Sequence, residues 1–130
     1  LDGKKVSLSD LRGQGVVLDF WATWCPPCVK SLPMMAELYR ENKDKGVTIY
    51  AINLREDKAR VEAFLSEREI DIPVLLDADG SVAEKYNVEA IPQTVVISPD
   101  GRVQKVFTGF GSSTEESLRT TIQSFKPDEN

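Results

Sequence analysis

Short apolar segments alternate with amphipathic segments along the whole chain, and this alternation is the feature that most restricts the fold. Five segments have the length and composition of strands, at residues 16–20, 47–53, 72–76, 94–98 and 103–107. Four segments have helical spacing, at residues 28–45, 57–68, 81–86 and 113–125, and Ser81 with Glu84 has the spacing of a capping box. Strands that alternate with helices favour a layered sheet, and a closing hairpin adds antiparallel strands. The pattern therefore predicts an α/β fold with a mixed central sheet.

The length and the charge of the chain limit its organisation and its partners. A chain of 130 residues buries enough surface for one core, so we expect a single domain over residues 1–125 and a polar tail over 126–130. The net charge of −5 argues against nucleic acid as a partner and against an anionic membrane surface. No apolar run in the sequence approaches the roughly 20 residues that a transmembrane helix needs.

The chain contains no histidine, which excludes every catalytic scheme that needs an imidazole. Its two cysteines, Cys25 and Cys28, lie between a predicted buried strand and a predicted helix. A cysteine at a helix N-terminus faces free backbone N–H groups and the positive end of the helix dipole, and both favour the thiolate. Pro26 and Pro27 suit the first helical positions, where an N–H has no partner in any case. Cys28 then lies one turn inside, in position to attack a mixed disulfide at Cys25, so the spacing predicts dithiol–disulfide exchange.

A structural disulfide and a zinc site also use paired cysteines, but both fit this pair less well. A structural disulfide here closes a loop of only four residues. The loop-entropy expression gives about 2 kcal/mol for such a loop, against about 3 kcal/mol for a loop of 15 residues. A zinc site needs two further ligands, and the sequence has no imidazole to supply them. We therefore expect a redox-active pair and no metal.

Three motifs together resemble those of the thioredoxin superfamily. Residues 17–28 are similar to its active-site signature, Pro33 matches the proline that kinks the following helix, and residues 90–92 are similar to the loop whose proline is cis. The opening residues 2–13 are similar to the ResA/TlpA/CcmG branch of the superfamily. The resemblance covers nearly the whole chain.

The resemblance implies a thioredoxin fold with three α/β/α layers around the mixed sheet. It also implies an extra N-terminal strand region and a central helix–strand insert. Asn53 and Ile91 are 38 positions apart, which is far more than a minimal crossover of roughly 10–12 residues requires. The predicted helix and strand at 57–76 account for this extra length.

The same resemblance implies a thiol-disulfide oxidoreductase that acts on disulfides or dithiols of proteins. Members of the branch are exported and often membrane-tethered, and many serve cytochrome c maturation. We therefore expect an extracytoplasmic monomer, with membrane contact only through an anchor upstream of residue 1. Strong oxidants of the superfamily carry a histidine between the cysteines, whereas Pro26 and Pro27 stand here, so we expect a reductant that an upstream thiol reductant recharges. We expect no cofactor beyond the redox-active Cys25–Cys28 disulfide.

Two carboxylates are candidates for proton transfer. Asp19 interrupts a predicted buried strand, where burial raises the pKa of a carboxyl group. By resemblance it matches the buried aspartate of thioredoxins, which implies a base that accepts the proton of the second cysteine. The alternative is a carboxylate that is hydrogen-bonded to nearby backbone or water. Glu56 matches an acidic residue that ResA-like proteins hold near the dithiol. The alternatives are that Glu56 caps the next helix or is solvated among Arg55, Asp57 and Lys58.

Five residues are predicted to contact the substrate, namely Trp24, Pro26, Pro27, Ile91 and Pro92. Trp24 provides an apolar surface beside Cys25. If the peptide bond before Pro92 is cis, the backbone of Ile91 can pair with an extended substrate by strand addition. The alternative is an ordinary trans proline, since only about 5–6% of X–Pro bonds are cis.

Two further functions are weighed against dithiol exchange. Thiol peroxidases of the peroxiredoxin type share the fold, but their peroxidatic cysteine follows a threonine by three positions, whereas Thr23 precedes Cys25 by two. A non-catalytic binding module with an inert disulfide or a soft metal is the third possibility.

Overall fold

The computed structural model describes residue 11, residues 13–111 and residues 114–125. These residues form five strands and four helices. In chain order the elements are β1 (Gly15–Trp21), α1 (Pro26–Asn42), β2 (Val47–Leu54), α2 (Lys58–Glu67), β3 (Val74–Asp77), α3 (Ser81–Lys85), β4 (Gln93–Ile97), β5 (Val103–Thr108) and α4 (Thr114–Gln123). The predicted N-terminal strand region and the predicted polar tail at 126–130 lie outside the described residues.

The five strands form one mixed sheet in the order β3-β2-β1-β4-β5. Strand β2 is parallel to β1 and to β3, whereas β4 is antiparallel to β1 and to β5. All seven residues of the central strand β1 are buried, as its nearly continuous apolar sequence requires. The predicted α/β fold with a mixed central sheet is confirmed.

Helices cover both faces of the sheet. Val17 and Trp21 of β1 point into a core that they share with α1, α2 and α4, whereas Leu18 and Phe20 point into a second core that includes Ala83 of α3. Successive residues of a strand point to opposite faces, so β1 contributes to both cores. The result is the predicted arrangement of three α/β/α layers. None of the described helices combines the length and the apolar composition that a membrane crossing requires.

Helix α1 begins directly after Cys25, and Pro26 and Pro27 are its first two residues. The two prolines thus occupy the first helical positions as predicted, and the helix ends three residues earlier than predicted, at Asn42. The helix continues through Pro33, whose side chain is exposed. The start of α1 therefore follows the C-terminal end of β1 after only four residues, and this short connection fixes the position of the cysteine pair above the sheet.

Helix α2 and strand β3 form the predicted insert. Asp57 caps α2 by accepting a hydrogen bond of 2.8 Å from the backbone N–H of Arg60. Pro73 lies directly before β3, which is an edge strand, where the missing N–H of a proline is tolerated. The ring centroids of Phe64 in α2 and Trp21 in β1 are 5.6 Å apart. The insert thus packs against the end of β1 that leads to the cysteines.

The start of α3 differs from the prediction. Ser81 is the first residue of the helix, and its N-cap is Gly80, which has a φ of +76° and makes no side-chain capping bond. The carboxylate of Asp77 instead accepts hydrogen bonds from the backbone N–H groups of Val82 and Ala83, at 3.1 and 2.9 Å. The capping box predicted at Ser81 is therefore wrong, because Asp77 and Asp79, which accepts from the N–H of Ser81 at 3.0 Å, already bind the free N–H groups at the start of this helix.

Candidate active site

Cys25 and Cys28 form a disulfide at the N-terminus of α1, with their Cα atoms 5.2 Å apart. Cys25 is the N-cap residue of the helix and has an extended backbone, with φ −105° and ψ 102°. The backbone N–H of Cys28 donates a hydrogen bond to the Sγ atom of Cys25 at 3.4 Å. In the reduced protein, this donor and the positive end of the helix dipole favour a thiolate at Cys25.

The two sulfurs differ in their access to solvent. Cys25 is 5% exposed, and it lines an open groove of about 410 Å³ together with Trp24, Pro26 and Leu54. Both cysteines pack in the core cluster that contains Val17, but Cys28 is 0% exposed and does not line the groove. Only Cys25 therefore borders a space that a substrate can enter.

The loop before β4 forms the opposite wall of this groove. The peptide bond between Ile91 and Pro92 is cis, and the carbonyl oxygen of Ile91 lies 3.7 Å from the Sγ atom of Cys25. Residues 88–90 of the same loop also line the groove. The backbone of Ile91 is thus placed directly beside the sulfur that borders the groove.

The structure brings together three of the five residues predicted to contact a substrate. Trp24, Pro26 and Ile91 line the groove, and Trp24 is 64% exposed. Pro27 lies exposed in the first turn of α1, and Pro92 is buried behind the groove, so neither forms its wall. Sequence reasoning missed the other members of the wall, namely Leu54, Val88, Glu89 and Ala90. Their positions beside the predicted cis-proline loop and at the C-terminal end of β2 are the signal that points to them.

Asp19 lies in the central strand, on the face that is covered by α1. It occupies the position between Val17 and Trp21, both of which point into the core shared with Cys28. The residue is 1% exposed, and its Oδ2 atom has no hydrogen-bond partner among the described residues. Burial raises the pKa of Asp19 from its ordinary value of 3.8 to about 7. This carboxyl group can therefore gain or lose a proton near neutral pH.

Two further polar atoms on this face lack a partner. Trp21 Nε1 and Asn53 Oδ1 are buried without a hydrogen bond to any described residue, and the two residues are paired across β1 and β2. Asn53 points to the same face as Asp19, because Ala51, two positions before it, packs in the same core. The region beneath the cysteine pair is thus more polar than the rest of that core.

Glu56 lies two positions after the end of β2 and accepts four hydrogen bonds. Its Oε1 atom accepts from the backbone N–H of Thr23 at 2.7 Å and from Asn53 Nδ2 at 2.9 Å. Its Oε2 atom accepts from Thr23 Oγ1 at 2.5 Å and from Arg60 Nε at 2.9 Å. Burial raises the pKa of Glu56, but the hydrogen bonds from Thr23, Asn53 and Arg60 outweigh this effect and leave it below its usual range. Glu56 is neither the cap of α2, which is Asp57, nor solvated, since its side chain is 6% exposed.

Sequence reasoning missed Thr23 and Arg60 as members of the site. Both contact Glu56, and Arg60 Nε also donates to Thr23 Oγ1 at 3.1 Å. Glu56 and Arg60 are four positions apart, but Glu56 precedes Asp57, the N-cap of α2, so the helical spacing rule did not point to this ion pair. Nothing in the sequence points to Thr23, which is 33 positions before Glu56.

Within the part of the chain that the structure describes, no three side chains of Cys, Asp or Glu are grouped so that they could hold a metal ion.

Comparisons with known proteins agree with this geometry. Residues 1–106 match the AhpC/TSA family. The thiol-disulfide oxidoreductase ResA of Bacillus subtilis is 43% identical over 128 residues, which make up 98% of this chain and 70% of that protein. The ResA protein of Geobacillus thermodenitrificans is 39% identical over 127 residues, with 98% of this chain and 72% of that protein covered. A solved structure from Chlorobium tepidum, described as a candidate thiol:disulfide interchange protein DsbE, has a TM-score of 0.85 and 34% identity and covers 92% of this chain and 84% of that one.

The protein has a mixed five-stranded sheet, and a disulfide lies at the start of the helix that follows the central strand. Together with these relatives, this arrangement defines a thioredoxin-like thiol-disulfide oxidoreductase. The chain belongs to the AhpC/TSA family and, within it, groups with the thiol-disulfide oxidoreductases named ResA. The family resemblance of the sequence motifs, the thioredoxin fold and the enzyme class are confirmed.

Proposed function

We propose that the enzyme reduces disulfides of protein substrates, with Cys25 as the nucleophile and Cys28 as the resolving thiol. The observation that carries this proposal is the asymmetry of the pair. Cys25 caps α1 and lines an open groove, whereas Cys28 is fully buried and does not line it. Only the sulfur at the helix terminus is therefore both activated and accessible.

The exchange proceeds in two steps. The Cys25 thiolate attacks one sulfur of a substrate disulfide and forms an intermolecular disulfide, and the other substrate sulfur leaves as a thiolate that takes up a proton. Cys28 then loses its proton and attacks the Sγ atom of Cys25, which releases the second substrate sulfur. The substrate gains two electrons and two protons, and the enzyme is left with the Cys25–Cys28 disulfide.

Asp19 is the proposed acceptor of the Cys28 proton. Its pKa of about 7 supports this role, because a base is most effective when its pKa lies near the working pH. Its place on the sheet face beneath α1, in the strand that shares a core with Cys28, also supports the role. The assignment of Glu56 to proton transfer remains a prediction from the sequence.

The groove is the proposed site for the substrate chain. Trp24 and Pro26 supply an apolar surface beside Cys25, and the backbone of Ile91 supplies hydrogen-bonding groups for an extended segment. Pro27 and Pro92 support this site from the first turn of α1 and from behind the loop. Recognition through backbone groups gives affinity with little dependence on the substrate sequence.

The direction of the reaction, the compartment and the pathway rest on the sequence resemblance. Pro26 and Pro27 between the cysteines favour a reductant, which a separate upstream thiol reductant recharges. The ResA-like opening segment supports an extracytoplasmic enzyme that acts in cytochrome c maturation. The Cys25–Cys28 pair is the only redox group that this mechanism requires.

Alkylation of the reduced protein as a function of pH tests the proposal. We expect Cys25 to react with a midpoint near pH 7, well below the value of about 8.5 for a free cysteine. Cys25→Ser should fail to reduce insulin, whereas Cys28→Ser should accumulate the intermolecular disulfide. The proposal is wrong if Cys25 titrates near 8.5 and the Cys25→Ser variant still reduces insulin.

A further inference from the structure

Beside the cysteine pair, the carboxylate of Glu56 is bound by three residues from three different parts of the chain. We call Thr23, Asn53, Glu56 and Arg60 the Glu56 network. Thr23 lies two positions before Cys25, Asn53 and Glu56 come from the end of β2, and Arg60 comes from the first turn of α2. The network therefore links the cysteine loop to the inserted helix.

Both oxygens of Glu56 are already used as acceptors. Each receives two hydrogen bonds, of 2.5 to 2.9 Å, and Oε2 faces the charged guanidinium of Arg60. A proton on either oxygen would displace one of these donors, and an unpaired buried donor is costly. This arrangement suits a permanently ionised group rather than one that takes up a proton in each catalytic cycle.

The hydrogen bonds to Thr23 restrain the loop that carries Cys25. Glu56 holds both the backbone N–H and the hydroxyl of Thr23, so it restrains the backbone as well as the side chain. The capping position of Cys25, in turn, depends on this loop, because its Sγ atom must remain within 3.4 Å of the Cys28 N–H. Arg60 fixes the other side of the carboxylate, and the contact of Phe64 with Trp21 holds α2 against the sheet.

We propose that Glu56 is a positioning residue, which acts through Thr23 to keep Cys25 at the N-cap of α1. The inserted helix α2 takes part by supplying Arg60. The inference deepens the proposed function, since it assumes that Cys25 is the nucleophile.

The pH at which Cys25 becomes half-ionised tests this inference. Loss of positioning moves the sulfur away from the Cys28 N–H, so Glu56→Ala should raise the alkylation midpoint of Cys25 by at least about half a pH unit, which lowers its thiolate population at pH 7 about twofold. Thr23→Ala, which keeps Glu56 and its charge, should raise the midpoint in the same direction. Thr23→Ser, which restores the hydroxyl, should return it to the wild-type value.

Glu56→Gln separates position from charge. Glutamine keeps one oxygen that can accept from Thr23 and Asn53, so its midpoint should lie between those of Glu56→Ala and the wild type. Glu62→Gln is the matched control, because Glu62 is an exposed glutamate on α2, the helix that supplies Arg60, and its midpoint should equal that of the wild type.

The opposite pattern would overturn the inference. If Glu56 acts only through its charge, then Glu56→Ala and Glu56→Gln should lower the midpoint equally, and Thr23→Ala should leave it unchanged. An unchanged midpoint in all of these variants would also refute it. If Glu56→Ala fails to fold, Thr23→Ala, Thr23→Ser and Glu56→Gln still decide the question. Alkylation is measured without any disulfide substrate, so these results remain distinct from a failure of the enzyme to reduce proteins.

Discussion

Asp19 is fully buried and Glu56 is partly buried, and their surroundings move their pKa values in opposite directions. Asp19 has an oxygen that accepts no hydrogen bond from the described residues, whereas Glu56 accepts four. Burial raises the pKa of both groups, and only at Glu56 do the donors outweigh it. The deeper burial of Asp19 and the four donors at Glu56 together decide which carboxyl group is charged at neutral pH.

The difference gives the two groups different uses. A carboxyl group that titrates near pH 7 can exchange a proton with a thiol during a reaction. A carboxylate that is held by four donors is better suited to fix the loop to which it is bonded. Substitutions on each side of this contrast should therefore have distinct effects of different size.

The largest expected effect is on the stability of Asp19→Asn as the pH rises. Folding raises the pKa of Asp19 from 3.8 to about 7, so between these values the unfolded chain loses a proton that the folded chain keeps. The free energy of unfolding of the wild type must therefore fall as the pH rises through this range. Three pKa units correspond to about 4 kcal/mol. Asparagine does not ionise, so the variant should gain about 4 kcal/mol relative to the wild type between pH 4 and pH 8.

Urea unfolding of the oxidised proteins at several pH values measures this difference. Asp71→Asn, at an exposed aspartate, serves as the control and should show no comparable trend. A constant difference between Asp19→Asn and the wild type at all pH values would contradict the raised pKa.

The next effect concerns the rate at which Cys28 resolves an intermolecular disulfide. Without a proton acceptor beneath α1, Asp19→Asn should slow this step about 10²-fold at pH 7, which is within the range for loss of a general base. The deficit should shrink above about pH 9, where solvent ionises the Cys28 thiol directly. Single-turnover release of the substrate thiol measures the step. An equal deficit at pH 7 and pH 10 would show that Asp19 does not act on the proton.

Glu56→Ala should produce a smaller loss of stability, with the opposite dependence on pH. The variant removes a charged acceptor and leaves the Thr23 N–H unpaired, so we expect a loss of about 2 kcal/mol at pH 7. Because folding lowers the pKa of Glu56, its stabilisation is present at neutral pH and is lost as the pH falls through its folded value. Denaturation at pH 7 and pH 3 should therefore show a difference from the wild type that is smaller at pH 3. A larger difference at pH 3 would reverse the assignment.

Trp24→Ala should have the smallest effect and should leave the pKa values of Asp19 and Glu56 unchanged. The indole lines the groove and is 64% exposed, so its removal should weaken substrate binding by about 1 kcal/mol, or about fivefold in KM. Val103→Ala, at an exposed apolar residue of β5, is the control and should leave KM unchanged. A changed alkylation midpoint of Cys25 in Trp24→Ala would show that the groove and the carboxyl groups are not independent.

The parts of this molecule that could be predicted from its sequence depend on neighbours along the chain. The start of α1 at Pro26 follows from local rules for helix termini, and the buried strand with Asp19 follows from its apolar run. The position of Ile91 beside Cys25 came from the resemblance of residues 90–92, because the 66 positions between the two residues carry no local signal.

The parts that could not be predicted depend on contacts between distant segments. The role of Thr23 requires Glu56, which is 33 positions away and reaches it only once β1 and β2 are paired. The cap of α3 comes from Asp77 in the preceding strand, so the local capping-box pattern at Ser81 indicated the wrong acceptor. In both cases the pairing of the strands positions a carboxylate, that of Glu56 or of Asp77, and the local sequence pattern does not indicate this contact.

The most direct test of the contrast between the two carboxyl groups is a carbon-13 NMR titration of their carboxyl carbons in the oxidised protein, with Asp19→Asn and Glu56→Gln used to assign the signals. We predict that the Asp19 carboxyl carbon titrates with a midpoint near pH 7 and that the Glu56 carbon titrates below the usual range for glutamate. A midpoint for Asp19 near its ordinary value of 3.8, or a midpoint for Glu56 above that of Asp19, would contradict this contrast.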